Sequence, residues 1–142
     1  GTTGAGETTS NTYAAPSTYL VTLTVTDSGG ATATDTAIAS VVANQAPVAN
    51  DDTATVQRQG ASVDLDVTAN DTDADGTVDP TTVVVTSDPA RGSYTVDPVT
   101  GVVTYTSAGG QTGTVFLTYT VQDDSVPPAV SNEATVTINV IR

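Results

Sequence analysis

Threonine and valine alternate through much of this chain, and this alternation restricts its fold more than any other sequence feature. The chain of 142 residues contains 30 Thr and 22 Val. Both side chains branch at Cβ, which favours pleated strands over helices. In the segment YLVTLTVTDSGGATATDT, Val21, Leu23 and Val25 alternate with threonines, and a Gly-Gly pair follows. A period of two residues that ends in a glycine pair predicts a β-hairpin.

The segment NQAP, at residues 44–47, divides the chain in two. It is polar and ends in proline, which is typical of a short linker. Beyond it the alternation predicts seven short strands separated by turns, which indicates an antiparallel β-sandwich of about 100 residues. The predicted strands lie near residues 48–58, 61–69, 81–87, 93–96, 102–107, 114–122 and 133–141. The side chains predicted to face the core are Val63, Leu65, Val67, Leu117, Tyr119 and Val121.

The charge of the chain is strongly negative, with 16 acidic residues against 3 basic ones and a formal net charge of -13. Cys and His are absent and all three basic residues are arginines. This excludes disulfides, thiolate or imidazole metal sites, His-based triads and lysine Schiff bases. Negative charge disfavours nucleic acid and anionic membranes as partners, and no apolar segment approaches the roughly 20 residues of a membrane span. We therefore expect a protein that is not an enzyme, binds no nucleic acid, does not insert into membranes and attracts cations.

One loop concentrates the acidic residues. The segment NDTDADG, at residues 70–76, places Asp71, Asp73 and Asp75 at every second position before a glycine. This spacing matches the first, third, fifth and sixth positions of an EF-hand calcium loop. The match ends there, because the twelfth position is Thr82 instead of a bidentate Glu and no flanking helices are predicted. A metal site would therefore need ligands from other segments.

Two further acidic segments are expected beside this loop. In a sandwich whose strands alternate in direction, the first predicted strand begins at the pole where the second and sixth end. Residues 50–52 and the pair Asp123 and Asp124 then converge on the loop. Carboxylates about 4 Å apart repel by roughly 1 kcal/mol in bulk water, and more where water is excluded. A divalent cation would turn this repulsion into attraction.

Calcium is the cation that we predict for this pole. It accepts about six to eight oxygen ligands in flexible geometry, whereas magnesium demands a rigid octahedron. A solvated acidic turn is the alternative, because Asp, Asn and Gly also favour turns through their own backbone interactions. The predicted calcium ligands are Asp51, Asp52, Asn70, Asp71, Asp73, Asp75 and Asp123.

Two resemblances bear on the domain organisation. The segments PVANDD, VTANDTDADG, GVVTYTS and LTYTVQDD make residues 44–142 resemble a cadherin-like, Ig-like repeat of large bacterial surface proteins. Such modules bind calcium at their junctions, which the resemblance implies here too. The segment NTYAAPSTYLVTLTVTDSGGATAT makes residues 1–43 resemble the C-terminal half of a PKD domain, with Ser17 where a glycine is usual. We expect the missing front half of that module to lie upstream of Gly1.

These observations predict a non-enzymatic, calcium-stiffened module of an extracellular or cell-surface bacterial protein, acting as a spacer, an adhesive stalk or a fibre building block. The expected partners are neighbouring modules of the same or an identical chain, and a polysaccharide or another cell-surface ligand. An incomplete sandwich exposes strand edges and an apolar face, so strand addition between copies would build a homopolymer. The alternative function is a carbohydrate-binding accessory module of a secreted hydrolase.

Overall fold

A computed structural model describes residues 12, 13 and 15–142, which form only β-strands, turns and loops. The chain divides into two compact units, Gly1–Ala43 and Asn44–Arg142. The expected all-β fold is confirmed. No helix that could span a membrane occurs in the part of the chain that the structure describes.

The first unit contains the predicted hairpin. Strands β1 (Ser17–Thr26) and β2 (Thr32–Val41) pair antiparallel over ten residues each, without a bulge. The carboxylate of Asp27 closes the turn by accepting hydrogen bonds from the backbone N–H groups of Gly29, at 2.8 Å, and Ala31, at 2.9 Å. Gly30 adopts a φ of 86°, which favours glycine.

One face of this hairpin is apolar and exposed to solvent. It carries Val21, Leu23 and Val25 of β1, and Asp35 of β2 lies directly opposite Leu23. Leu23 is 62% exposed, although the alternation of the sequence would be expected to bury this set. The described residues of the first unit form a single two-stranded sheet, which cannot cover its own face.

The second unit contains all seven predicted strands. They form a sheet of four strands in the order β3-β9-β8-β5 and a sheet of three in the order β4-β7-β6. Their bounds are β3 (Asp52–Gln57), β4 (Ser62–Leu65), β5 (Val78–Ser87), β6 (Ser93–Val96), β7 (Val103–Thr106), β8 (Gly113–Asp123) and β9 (Ala134–Ile141).

One strand pair departs from the purely antiparallel sandwich that the sequence predicted. Strands β3 and β9 are parallel, with Asp52 opposite Val136 and Gln57 opposite Ile141. The reason is topological: when seven strands alternate in direction, the first and the last point the same way, and here they are neighbours. The other pairs of the second unit are antiparallel.

The core lies between the two sheets and consists mainly of valine. Leu65, Val67, Leu117, Tyr119 and Val121 are buried, as predicted, and Val63 packs against them while partly exposed. The remaining buried apolar residues are Ala49, Val56, Val83, Val103, Tyr105, Val115, Ala134, Val136, Ile138 and Val140.

Candidate functional site

The alternating strand directions bring the acidic segments to one end of the sandwich, which we call the acidic end. Strands β3, β5 and β9 begin there and β4 and β8 finish there. The loop at residues 66–77 joins β4 to β5 across this end. An isolated antiparallel bridge between Val48 and Thr72, with main-chain hydrogen bonds of 2.7 and 3.1 Å, fixes the loop against the segment that precedes β3.

The first four predicted ligands form one group of contacts. The backbone N–H of Asn50 donates to Asp71 Oδ1 at 2.8 Å, and Asn70 Nδ2 donates to the carbonyl oxygen of Asp51 at 3.2 Å. Asp51 Oδ1 accepts from the backbone N–H of Thr135 at 2.8 Å. Asp51, Asp52, Asn70 and Asp71, which come from two separate segments, therefore lie together; we call them the Asp52 group.

The hydroxyl of Tyr119 lies among more acceptor oxygens than it can serve. Its oxygen is 2.7 Å from the carbonyl oxygen of Val67, 2.9 Å from Asp71 Oδ1 and 3.1 Å from the carbonyl oxygen of Asn50. A tyrosine hydroxyl carries one proton, so it satisfies one of these acceptors at a time. Burial raises the pKa of Tyr119, which keeps that proton in place. This surplus of oxygens over protons suits a cation.

Asp52 is the member of its group whose negative charge is least favourable. Its Oδ2 atom is buried and has no hydrogen-bond partner. Burial, followed by the charge of Asp71, raises the pKa of Asp52 to about 6; the hydroxyl of Tyr119 partly opposes this rise, and the charges of Asp51 and Asp66 add to it. A carboxylate that is out of water and faces others of the same sign is unstable in its charged form. A bound cation would reverse this.

The other three predicted ligands lie around the tip of the loop. Asp73 Oδ1 accepts from the backbone N–H groups of Asp75 and Gly76, both at 3.0 Å, which forms a tight turn. Asp73 Oδ2 is buried and unpartnered. A Cβ atom on Gly76 would lie 3.1 Å from Asp124 Oδ1 and 3.7 Å from Asp73 Oδ2, so both carboxylates face the same side of this glycine.

Asp75 and Asp123 already hold the start of the second unit. Asp75 accepts from the backbone N–H of Gln45 at 3.2 Å through both oxygens. Asp123 is 2% exposed, and its Oδ2 accepts from Asn44 Nδ2 at 2.7 Å. Burial would raise the pKa of Asp123, but hydrogen bonds from Ala129, Asn44 and Ser125 outweigh burial and lower it. Residues 44 and 45 are therefore fixed to the acidic end without any metal. We call Asp73, Asp75 and Asp123 the Asp73 group.

The seven predicted ligands thus fall into two sets at the acidic end, and each set includes one buried and unpartnered carboxylate oxygen. Within the described residues, no set of three or more acidic side chains has the geometry of a formed metal site. Two neighbouring carboxylates lie outside the predicted ligand set: Asp66, whose charge acts on Asp52, and Asp124, which accepts from the backbone N–H of Thr77 at 3.1 Å. The position of Asp66 directly before the loop could have identified it as a further ligand. The alternation with Leu65 and Val67 instead predicted that its side chain points outward from a strand.

Comparisons with known proteins bear on the second unit. A comparison with curated proteins gave no match. One solved structure, described as a nucleoside hydrolase-related hypothetical protein from Saccharophagus degradans that is associated with carbohydrate metabolism, is 17% identical. The match covers 70% of this chain and 26% of that protein, with a TM-score of 0.48. That score is too low to support an argument.

A comparison with protein families matches the second unit. The bacterial cadherin-like domain family matches residues 44–142, which is the whole of the second unit and more than two-thirds of the chain. The two-sheet sandwich of β3 to β9, its core and the acidic loop all lie within this range. The chain therefore belongs to the bacterial cadherin-like domain family.

Proposed function

We propose that this chain is a non-enzymatic structural and adhesive module, exposed outside the cell or at its surface, whose cadherin-like unit is stiffened by calcium. Family membership supports the coarser part of this function, namely an extracellular structural or adhesion module. Three finer points go beyond family membership and are proposed here. They are the bound calcium, the role as a stalk or spacer, and the origin of residues 1–43 in a PKD-like module.

The observation that carries the calcium proposal is the pair of buried and unpartnered atoms Asp52 Oδ2 and Asp73 Oδ2. An isolated charged group that loses its water without gaining a partner costs free energy, and natural proteins keep few such groups. Two of them at one end of a domain, each near another carboxylate, fit a hard cation.

The two groups identify which residues would hold calcium. In the Asp52 group these are Asp51, Asp52, Asp71 and the side-chain oxygen of Asn70. In the Asp73 group they are Asp73, Asp75 and Asp123, with Asp124 beside them. Calcium would supply positive charge that binds segments of this end together. Because Asp75 and Asp123 also hold residues 44 and 45, bound metal would add to contacts that already fix the NQAP segment to the second unit.

The first test is thermal unfolding of the purified chain in EDTA and in about 10 mM calcium. With a dissociation constant of about 10⁻⁴ M, this concentration is a hundredfold excess and adds roughly 2.7 kcal/mol to the free energy of unfolding. We expect the melting temperature of the second unit to rise by several degrees. An identical melting temperature in both buffers would rule out the calcium site.

Matched variants separate a site from a general charge effect. Asp52→Asn and Asp73→Asn each remove one charge at the acidic end, and Asp64→Asn removes one charge from an exposed strand face, where Asp64 accepts from Thr104. We expect the first two to lose most of the calcium increment and the third to keep it. Equal losses in all three would mean that calcium merely screens the net charge of -13.

A further inference from the structure

The apolar face of the hairpin contains one charged side chain, that of Asp35. On this face, four residues of β1, namely Tyr19, Val21, Leu23 and Val25, lie opposite Ala39, Ala37, Asp35 and Ala33 of β2. Residues directly opposite each other in an antiparallel pair point to the same side of the sheet. The carboxylate of Asp35 is therefore surrounded by apolar side chains from both strands.

The other face of the hairpin is better suited to water. It carries three directly opposed threonine pairs beside one apolar pair; these are Thr22 with Thr36, Thr24 with Thr34, Thr26 with Thr32, and Leu20 with Ile38. Contiguous apolar surface that stays exposed marks a site of interaction, whereas hydroxyl side chains are readily hydrated. A partner sheet would therefore cover the face that contains Asp35.

Covering this face would take the carboxylate of Asp35 out of water. Its Oδ1 atom accepts a hydrogen bond from the backbone N–H of Thr36 at 2.9 Å, which satisfies only part of a carboxylate. A buried carboxylate opposes binding unless a cationic group pairs with it across the interface. The covering sheet must therefore present a basic residue at the position that faces Asp35.

A second copy of the chain is poorly suited to supply this residue. The first basic residue of the sequence is Arg58, so the hairpin segment of another copy offers no cation. Two hairpins packed by their apolar faces would instead bury two Asp35 carboxylates in one interface. Arg58 and Arg91 already donate to carbonyl oxygens of the loop before β8, and a net charge of -13 repels whole copies from one another.

We propose that the apolar face of the hairpin binds the apolar sheet face of a module of different sequence, one that presents a lysine or arginine to Asp35. Asp35 is then the residue that selects the partner, because it disfavours an identical hairpin and favours a basic one. This inference goes beyond the proposed function and does not depend on calcium. It opposes the homopolymer that the sequence led us to expect.

The test mixes the parent chain with its own Asp35→Lys variant, whose hairpin has the chemistry expected of the partner. Sedimentation in EDTA, which excludes any effect of a calcium site, should show a complex of one copy of each. We expect this complex to be about tenfold tighter, or more, than the self-association of either chain alone. Leu23→Thr in the variant should abolish the complex, because it removes the apolar contact beside the charge pair.

Matched variants separate this site from a general charge effect. Asp64→Lys makes the same change in charge on the second unit, and Thr36→Lys places a basic group on the other face of β2, so neither should bind the parent. Asp35→Val should associate with itself, because its apolar face has no charge left to bury. All three positions are exposed, so these substitutions remove no core packing.

Three results would overturn the proposal. The first is a parent chain that binds itself as tightly as it binds Asp35→Lys. The second is equal binding of the parent by Asp64→Lys or Thr36→Lys. The third is that the mixture with Asp35→Lys, or Asp35→Val alone, stays monomeric.

Discussion

At the scale of single residues, Asp52 shows the conflict between burial and charge most clearly. Its Oδ2 atom has no partner, and burial followed by the charge of Asp71 raises its pKa to about 6 from an ordinary value of 3.8. In the folded protein without metal, Asp52 therefore holds a proton at pH values where the unfolded chain has released it. The charged form of this one residue opposes folding.

This shift predicts that metal-free protein becomes less stable as the pH rises. The folded pKa lies above the unfolded pKa, so the unfolded state binds fewer protons between about pH 4 and 6, and the free energy of unfolding falls across that window. Two pKa units correspond to almost 3 kcal/mol, and partial exposure of the side chain reduces the expected loss to about 1 kcal/mol. Melting curves in EDTA at pH 5 and pH 7.5 measure it.

The carboxyls with lowered pKa values do not interfere with this measurement. Asp97, Asp123, Asp124 and Glu133 stabilise the fold above their unfolded pKa values and lose that contribution only at more acidic pH. Asp52→Asn should remove the loss between pH 5 and 7.5 and raise the melting temperature at pH 7.5. A parent protein that melts at the same temperature at both pH values would contradict the buried charge.

At the scale of elements, the turn between β6 and β7 depends on one glycine. Asp97 accepts from the backbone N–H groups of Val99, at 2.8 Å, and Thr100, at 3.1 Å, and these bonds lower its pKa. Gly101 then adopts a φ of 72° and is buried, with the carbonyl oxygen of Pro80 where a Cβ atom would lie. The turn of one sheet therefore packs against the first residues of β5 in the other.

Gly101→Ala should destabilise the second unit by about 3 kcal/mol or more. A positive φ costs an alanine roughly 1–2 kcal/mol, and the contact of its methyl group with a main-chain oxygen adds to this. Gly110→Ala is the matched control, because Gly110 has a φ of 84° but no atom within 4 Å of the added Cβ. Chemical denaturation of both variants gives the difference, and equal losses would show that Gly101 is needed only for its backbone conformation.

At the scale of the whole molecule, the second unit separates its charges along its length. The calcium-ligand candidates lie at the acidic end, whereas Arg58, Arg91 and Arg142 follow strands that finish at the opposite end. Arg58 donates to the carbonyl oxygen of Gly110 and Arg91 to that of Thr112, both in the loop before β8. No basic side chain of the second unit therefore offsets the negative charge of the acidic end, which favours the binding of a cation there.

Assembly of copies is the prediction that belongs to this scale. If strands of another copy cover the apolar face of the hairpin, as the predicted homopolymer requires, sedimentation should show association that increases with concentration. Leu23→Thr should abolish it, because Leu23 lies on that face. Leu20→Thr, at a leucine on the other face that is even more exposed, should not. A chain that stays monomeric at all concentrations would exclude the homopolymer.

The alternation of threonine and valine was sufficient to determine the all-β fold, the seven strands of the second unit and most of the inward-facing side chains. These features are local, because a period of two residues places one set of side chains on the buried face whatever the partner strand is. The exposed hairpin face shows the limit of this argument. Alternation identifies which face is apolar, but only the number of strands around it determines whether that face is covered.

Tertiary structure alone decided how the acidic residues are grouped. Sequence spacing set Asp71, Asp73 and Asp75 in one loop, yet Asp71 joins Asp52 beside Tyr119 and Asp73 faces Asp124 across Gly76. The parallel pairing of β3 with β9 likewise appears only when distant strands become neighbours. Burial, pairing and the loss of hydrogen-bond partners depend on residues far apart in the chain, and a local pattern carries no information about them.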